Sequence, residues 1–166
     1  MKKKAIGIGI MTVTCICIFL LTVKINQTPY EYLKKNGGSS SVTSVNELLY
    51  QANIGDKEYA LFYINGKNSL SCAIIKKTIF SYSILKISSE VSFLNDSERA
   101  DFIFSSYNKG HNWIYWGIVR DDKIKQVIIN DRKANLADID AYSFRISYLL
   151  GDKTEKTIPP EHKLLN

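Results

Sequence analysis

The chain has 166 residues, a formal charge of +6, and three cysteines. Its length suits one folded domain with appendages. Six lysines and a single acid, Glu31, fall in the first 35 residues; the remaining 131 residues hold 16 basic and 15 acidic side chains. The body is thus nearly neutral and has no basic stripe of the kind a duplex-binding surface needs, so no nucleic-acid partner is expected.

Residues 5–23, AIGIGIMTVTCICIFLLTV, carry no charge. As a helix rising about 1.5 Å per residue, they span about 28 Å, the thickness of a bilayer's hydrocarbon core. The segment is expected to be a transmembrane signal anchor from Ala5 to Val23. A cleaved signal peptide, which would release the protein, is the alternative, but this apolar run is longer than usual and Leu-Thr-Val-Lys-Ile-Asn offers no small-residue cleavage site. Lys2, Lys3 and Lys4 form a basic tail before the helix (residues 1–4), and Lys24 alone follows it closely. That asymmetry predicts a cytoplasmic N-terminus and an extracytoplasmic body. The bilayer is therefore the first expected partner.

Residues 24–43 read as a stalk, with Asn36-Gly37-Gly38-Ser39-Ser40-Ser41 as its flexible part. Ser44-Val45-Asn46-Glu47 fits a capping box, and Val45, Leu48, Leu49 and Ala52 fall at helical spacing, which predicts a short helix ending near Gly55. The domain is placed at 44–150.

From Glu58 the pattern has period two. Tyr59–Ile64 is apolar on both faces, as a central strand should be, and Asn65-Gly66 is a hairpin signal. Asn68–Lys76 forms the partner strand. Phe80, Tyr82 and Ile84 alternate with serines, and the phase slips at Leu85-Lys86-Ile87, which predicts a bulge or a change of sheet. Asn95–Glu98 is a turn or one helical turn, Phe102–Tyr107 a strand, and Trp113–Val119 is again apolar on both faces. Two short strands follow, separated by Asn130-Asp131-Arg132. Tyr142, Phe144, Ile146 and Tyr148 then alternate with Ser143, Arg145 and Ser147, the pattern of a half-buried strand. Residues 151–166 are charged, contain Pro159-Pro160, and read as a frayed tail. The fold class is mainly β: an antiparallel sandwich, or a curved, barrel-like sheet, of seven or eight strands.

Little chemistry is visible. His111 and His162 belong to no metal-ligand spacing, and no metal or cofactor is expected. Ser83-Ile-Leu-Lys86 matches S-x-x-K, but its companion motifs are missing and Ser83 falls mid-strand. Asp131, Asp138 and Asp140 read as solvated turn acids rather than a calcium loop. Cys72, alone in the body, reads as a small buried hydrophobe. The aromatic group His111, Trp113, Tyr115 and Trp116 is the candidate binding surface, since Trp and Tyr favour hot spots. Strand periodicity points Trp113 and Trp116 to opposite faces, so at most one is expected to be exposed.

The lysine-started anchor, Tyr59-Ala-Leu-Phe-Tyr63 and Tyr115-Trp-Gly-Ile-Val-Arg-Asp-Asp-Lys-Ile-Lys-Gln-Val127 resemble small single-pass membrane-anchored proteins of Gram-positive bacteria, a group with no assigned function. The resemblance covers most of the body and brings no catalytic residues with it. The expected function is a non-enzymatic envelope module that binds a partner protein or a wall or surface ligand. The alternatives are a small extracytoplasmic hydrolase acting on envelope polymers, and an immunity or regulatory partner of another membrane protein.

Overall fold

A computed structural model describes residues 27–37, 44–92, 99–155 and 160–166. The expected anchor Ala5–Val23, the basic tail Lys2-Lys3-Lys4, most of the Gly/Ser linker and the Asn95–Glu98 turn lie outside the described residues. Among the described residues, no helix is long and apolar enough to cross a membrane.

The described residues form one α-helix and eleven strands in chain order: α1 (Pro29–Asn36), β1 (Val45–Gly55), β2 (Glu58–Asn65), β3 (Ser69–Lys77), β4 (Tyr82–Ser92), β5 (Ala100–Tyr107), β6 (Asn112–Val119), β7 (Gln126–Ile129), β8 (Arg132–Lys133), β9 (Asn135–Asp138), β10 (Arg145–Asp152) and β11 (His162–Leu165), with a single 3-10 turn at Asn108–Gly110 between β5 and β6. They make three antiparallel sheets, with orders β1-β2-β3-β4 (sheet A), β5-β6-β10-β9 (sheet B) and β11-β7-β8 (sheet C). The mainly β, antiparallel, sandwich-like expectation holds. None of these sheets closes into a barrel.

The layers stack as α1, sheet A, sheet B, sheet C. Ala60, Phe62, Cys72 and Ile74 of sheet A meet Ile114, Trp116, Ile118, Ile146 and Tyr148 of sheet B. The other face of sheet B, with Trp113, Tyr115, Val119 and Leu149, packs on Val127 and Ile129 of sheet C. The other face of sheet A, with Leu61, Tyr63, Ala73 and Ile75, receives Leu33 of α1. Side chains alternate across a strand, so β2 and β6 must be apolar on both faces because both faces are covered. Ser147, expected on a solvated face, is fully buried for the same reason.

The helix expected at 44–55 is strand β1. Its pairing with β2 shifts register between Val45 and Glu47, between Leu48 and Tyr50, and between Asn53 and Gly55. Each irregularity resets the two-residue alternation, which leaves apolar residues at 45, 48, 49 and 52 in an imitation of helical spacing. Glu47 caps nothing; it accepts a 3.0 Å hydrogen bond from the Tyr142 hydroxyl.

The helix lies earlier, in the segment read as stalk. Thr28 Oγ1 accepts from the Glu31 N–H (3.1 Å), and the Glu31 carboxylate accepts from the Thr28 N–H (2.8 Å), a complete capping box. Pro29 at the first turn and Lys34 and Lys35 in the last suit the helix ends. Leu33 is fully buried, so α1 belongs to the domain. The Gly/Ser linker therefore joins α1 to strand β1 of sheet A, two elements that pack together around Leu33 and Val45.

The Asn65-Gly66 hairpin forms, but the positive φ (54°) falls on Asn68. Asn65 Oδ1 accepts from the Lys67 and Ser69 amides (2.9 and 3.1 Å), and its Nδ2 donates to Ser71 Oγ (3.0 Å) and Glu90 (2.7 Å). The slip read at Leu85 is real: Ile75 faces Ile84 while Ile74 faces Lys86, leaving Leu85 extra on β4. Phe80, read as a strand residue, lies in the turn before β4. The tail read as frayed carries β11, paired with β7 from His162 opposite Ile129 to Leu165 opposite Gln126.

Candidate functional site

The aromatic group does not form a surface. Trp113 and Trp116 do point oppositely, but both are buried, one toward sheet C and one toward sheet A. Trp113 donates from Nε1 to the Asp152 carbonyl (3.0 Å), lies against Gly151, and carries the Arg132 guanidinium 5.7 Å above its ring. Tyr115 stacks on Phe102 with centroids 5.3 Å apart. His111 is exposed in the turn between β5 and β6, so the structure does not bring the four residues together. A stack of covered sheets absorbs aromatics on both faces of its middle strands, which sequence alone could not show.

Tyr115 finds a different partner. Its hydroxyl is 2.9 Å from His162 Nδ1, and the imidazole lies 4.6 Å from the Phe102 ring. These apolar surroundings push the His162 pKa below its ordinary 6.5 and raise that of the Tyr115 phenol. The pair ties the tail strand to sheet B.

Cys72 is buried in the core between sheets A and B, where burial pushes its thiol well above the usual range. Ser83 and Lys86 lie on strand β4, without the helix start that the S-x-x-K nucleophile uses. Asp131 sits in the two-residue β7–β8 turn, where Asn130 and Asp131 both have positive φ (47° and 59°). Among the described residues, no three His, Cys, Asp or Glu side chains gather to hold a metal ion.

Asp138 and Asp140 do meet other polar groups. They line an open cleft of about 520 Å³ between the chain leaving β6 and the β9–β10 connection, together with Val119, Arg120, Asp122, Ile139, Tyr142, Ser143, Phe144 and Arg145. The floor is apolar: Val119, Ile139 and Phe144 are buried. Asp122, Asp138, Asp140 and Ser143 stand exposed at the rim. The two arginines are held by the fold. Arg120 pairs with Asp101 (2.9 Å) and donates to the Ser92 carbonyl (2.9 Å); Arg145 donates to the Asp121 carbonyl (2.8 Å). Behind them, Asp121 accepts from the Lys123 amide (2.9 Å) and from Arg99 (2.7 Å), which holds its carboxyl below the usual range. Tyr142 lies 5.3 Å from Phe144, its hydroxyl fixed on Glu47.

Sequence reasoning singled out Asp138 and Asp140 but not Arg120, Asp122, Tyr142 or Arg145. The available signal was a cluster of acids, arginines and aromatics around two turns, but only the pairing of β6 with β10 makes neighbours of residues 120 and 145. Comparison of the chain with known protein families, characterised proteins and solved structures finds no match.

Proposed function

We infer that the chain is a membrane-tethered extracytoplasmic binding module that uses the β6–β10 cleft to hold a polar envelope ligand, such as a wall polymer or an extended segment of a partner protein. The resemblance to small anchored Gram-positive proteins and the uncharged 5–23 segment supply the setting. The observation that carries the reading is the cleft itself: an apolar floor, two pre-positioned arginines, and carboxylates left in water at the rim. Such a mixture suits a ligand that offers both hydrogen-bonding groups and apolar surface.

Purified full-length protein in detergent should co-sediment with an isolated Gram-positive wall fraction, and Tyr142→Ala with Asp138→Asn should reduce the bound fraction severalfold. Equal sedimentation of wild type and variant would refute the cleft as the site. Protease added to intact protoplasts should digest the domain; full protection would refute the extracytoplasmic placement.

A hydrolase acting on envelope polymers is the second reading, favoured by the three aspartates on one cleft. A general acid ordinarily gains its raised pKa by burial in an apolar pocket, whereas these carboxylates are exposed. Release of soluble fragments from wall polymers by wild type, abolished in Asp138→Asn, would replace the binding reading with this one.

A further inference from the structure

Ile79 and Phe80 are exposed in the β3–β4 turn, at 86% and 59% of their surface. Folding normally hides such side chains, and here two stand side by side at a tip. The turn is well made: the Thr78 amide donates to the Ser81 carbonyl (2.8 Å), and the Ser81 amide donates to Thr78 Oγ1 (3.2 Å). The apolar pair is therefore presented by a structured hairpin.

The neighbours of the tip are basic and acidic. The β1–β2 turn lies alongside, joined to it by a 2.7 Å hydrogen bond from the Lys77 amide to the Lys57 carbonyl. Asp56, Lys57, Glu58, Lys76, Lys77, Thr78 and Ile79 line a shallow cleft between the two turns. Glu58 is taken by Lys76 at 2.9 Å. Lys57 and Lys77 take part in none of the ion pairs among the described residues, which leaves two lysines against Asp56 beside two exposed apolar side chains.

The position of this tip says what it meets. Tyr82, the first residue of β4 after the turn, has its ring 5.9 Å from that of Tyr32 in α1. The helix that follows the apolar 5–23 segment thus reaches this end of sheet A through Tyr32, while its Leu33 packs in a cluster that extends along the face to Val45. The opposite end holds Val45 and the Gly66–Asn68 turn. From Val23 to the capping residue Thr28 is five residue steps, at most about 17 Å when fully extended. A headgroup layer is about 5–8 Å deep on each side of a bilayer. At full stretch about 10 Å of that length remains beyond the headgroups, so the domain stays no farther from the surface than the roughly 10 Å spacing of two packed sheets.

We propose that the β3–β4 turn dips into the headgroup layer of the bilayer that holds the chain's own anchor, with Ile79 and Phe80 in the acyl boundary and Lys57 and Lys77 against anionic headgroups. Exposed apolar and cationic side chains together are the usual composition of an interfacial anchor. The contact rests on the membrane-tethered reading above. It gives the domain a second attachment point, which fixes its orientation and holds the β6–β10 cleft in one attitude to the membrane.

Site-directed spin labelling tests this in the full-length chain, reconstituted into phosphatidylglycerol–phosphatidylcholine vesicles. In a Cys15→Ser, Cys17→Ser background the buried Cys72 stays unlabelled, and single labels are placed through Phe80→Cys, Lys67→Cys and Leu20→Cys. Accessibility to oxygen over a water-soluble nickel reagent should be high at position 20, intermediate at 80 and low at 67, and Lys57→Gln with Lys77→Gln should move the label at 80 toward water. Labels at 80 and 67 equally exposed to water, with position 20 still in lipid, would overturn the tip contact while leaving the tether intact. Water exposure at position 20 would overturn the tether and the tip contact with it. Dipolar broadening at 80, with both reagents excluded, would mean contact with a second copy and would likewise overturn the proposal.

Discussion

Leu33→Ala tests whether α1 is part of the domain. Leu33 is fully buried and packs in one cluster with Val45, Leu61, Tyr63, Ala73, Ile75 and Tyr82. Truncating a buried leucine to alanine costs about 2–5 kcal/mol, the higher figures applying where the surroundings cannot collapse. Here one wall is an eight-residue helix, too short to be stable alone, so it has freedom to shift and partly fill the space. The expected loss is therefore about 3 kcal/mol. With a urea slope of about 2 kcal/mol/M, the unfolding midpoint should fall by about 1.5 M. Urea titration of the full-length protein in non-ionic detergent, followed by tryptophan emission, gives the midpoint. Lys34→Ala, on the exposed side of the helix, is the control and should change stability by less than about 0.5 kcal/mol. Hydrogen exchange adds a local readout. The Gly37 amide donates to the Leu33 carbonyl at 2.7 Å and should lose its protection in Leu33→Ala before the sheets do. If Leu33→Ala and Lys34→Ala are equally mild, α1 is not docked on sheet A, and the short membrane tether proposed above fails with it.

Asn65→Ala removes four hydrogen bonds from a side chain with no exposed surface; a loss of about 2–3 kcal/mol is expected, because the Ser69 amide and Glu90 lose partners, and denaturant unfolding measures it. Gly117→Ala places a Cβ against the Asp101 carbonyl and Phe102 on the neighbouring strand β5; it should open the β5–β6 pairing, seen as faster amide exchange along β5, whereas Gly55→Ala meets no such contact and should be mild. His162 has a folded pKa depressed below 6.5 by burial, so its contribution to stability is complete above the unfolded value and is lost as pH falls through the folded one. Acidification from about pH 7 to pH 5 should therefore loosen β11. The protection factor of the Asn130 amide, which donates to the Glu161 carbonyl at 3.1 Å, should fall with the imidazole titration once intrinsic exchange is divided out, and become pH-independent in His162→Gln. A normal His162 midpoint near 6.5 would refute the packing of its ring on Phe102.

The sequence by itself determined the β class, most strand positions, the turns at 65–69 and 130–131, the slip at Leu85 and the opposite facing of Trp113 and Trp116. These follow from side-chain alternation and from turn residues, which are local properties of the chain. What it could not determine is what covers each face. Alternation shows that both sides of β2 and β6 are apolar, but not that α1 and sheet C are the covers, and so Trp113, Tyr115 and Trp116 of the group read as a surface are core, and only His111 is exposed. Local pattern also fails where pairing is irregular, as in β1, whose register shifts imitate a helix, and where order depends on a distant partner, as in β11. The cleft at Asp138 and Asp140 and the exposed Ile79-Phe80 tip were settled only by the tertiary structure. Exposure is the absence of a covering layer, and a layer's position depends on contacts between residues far apart in the chain.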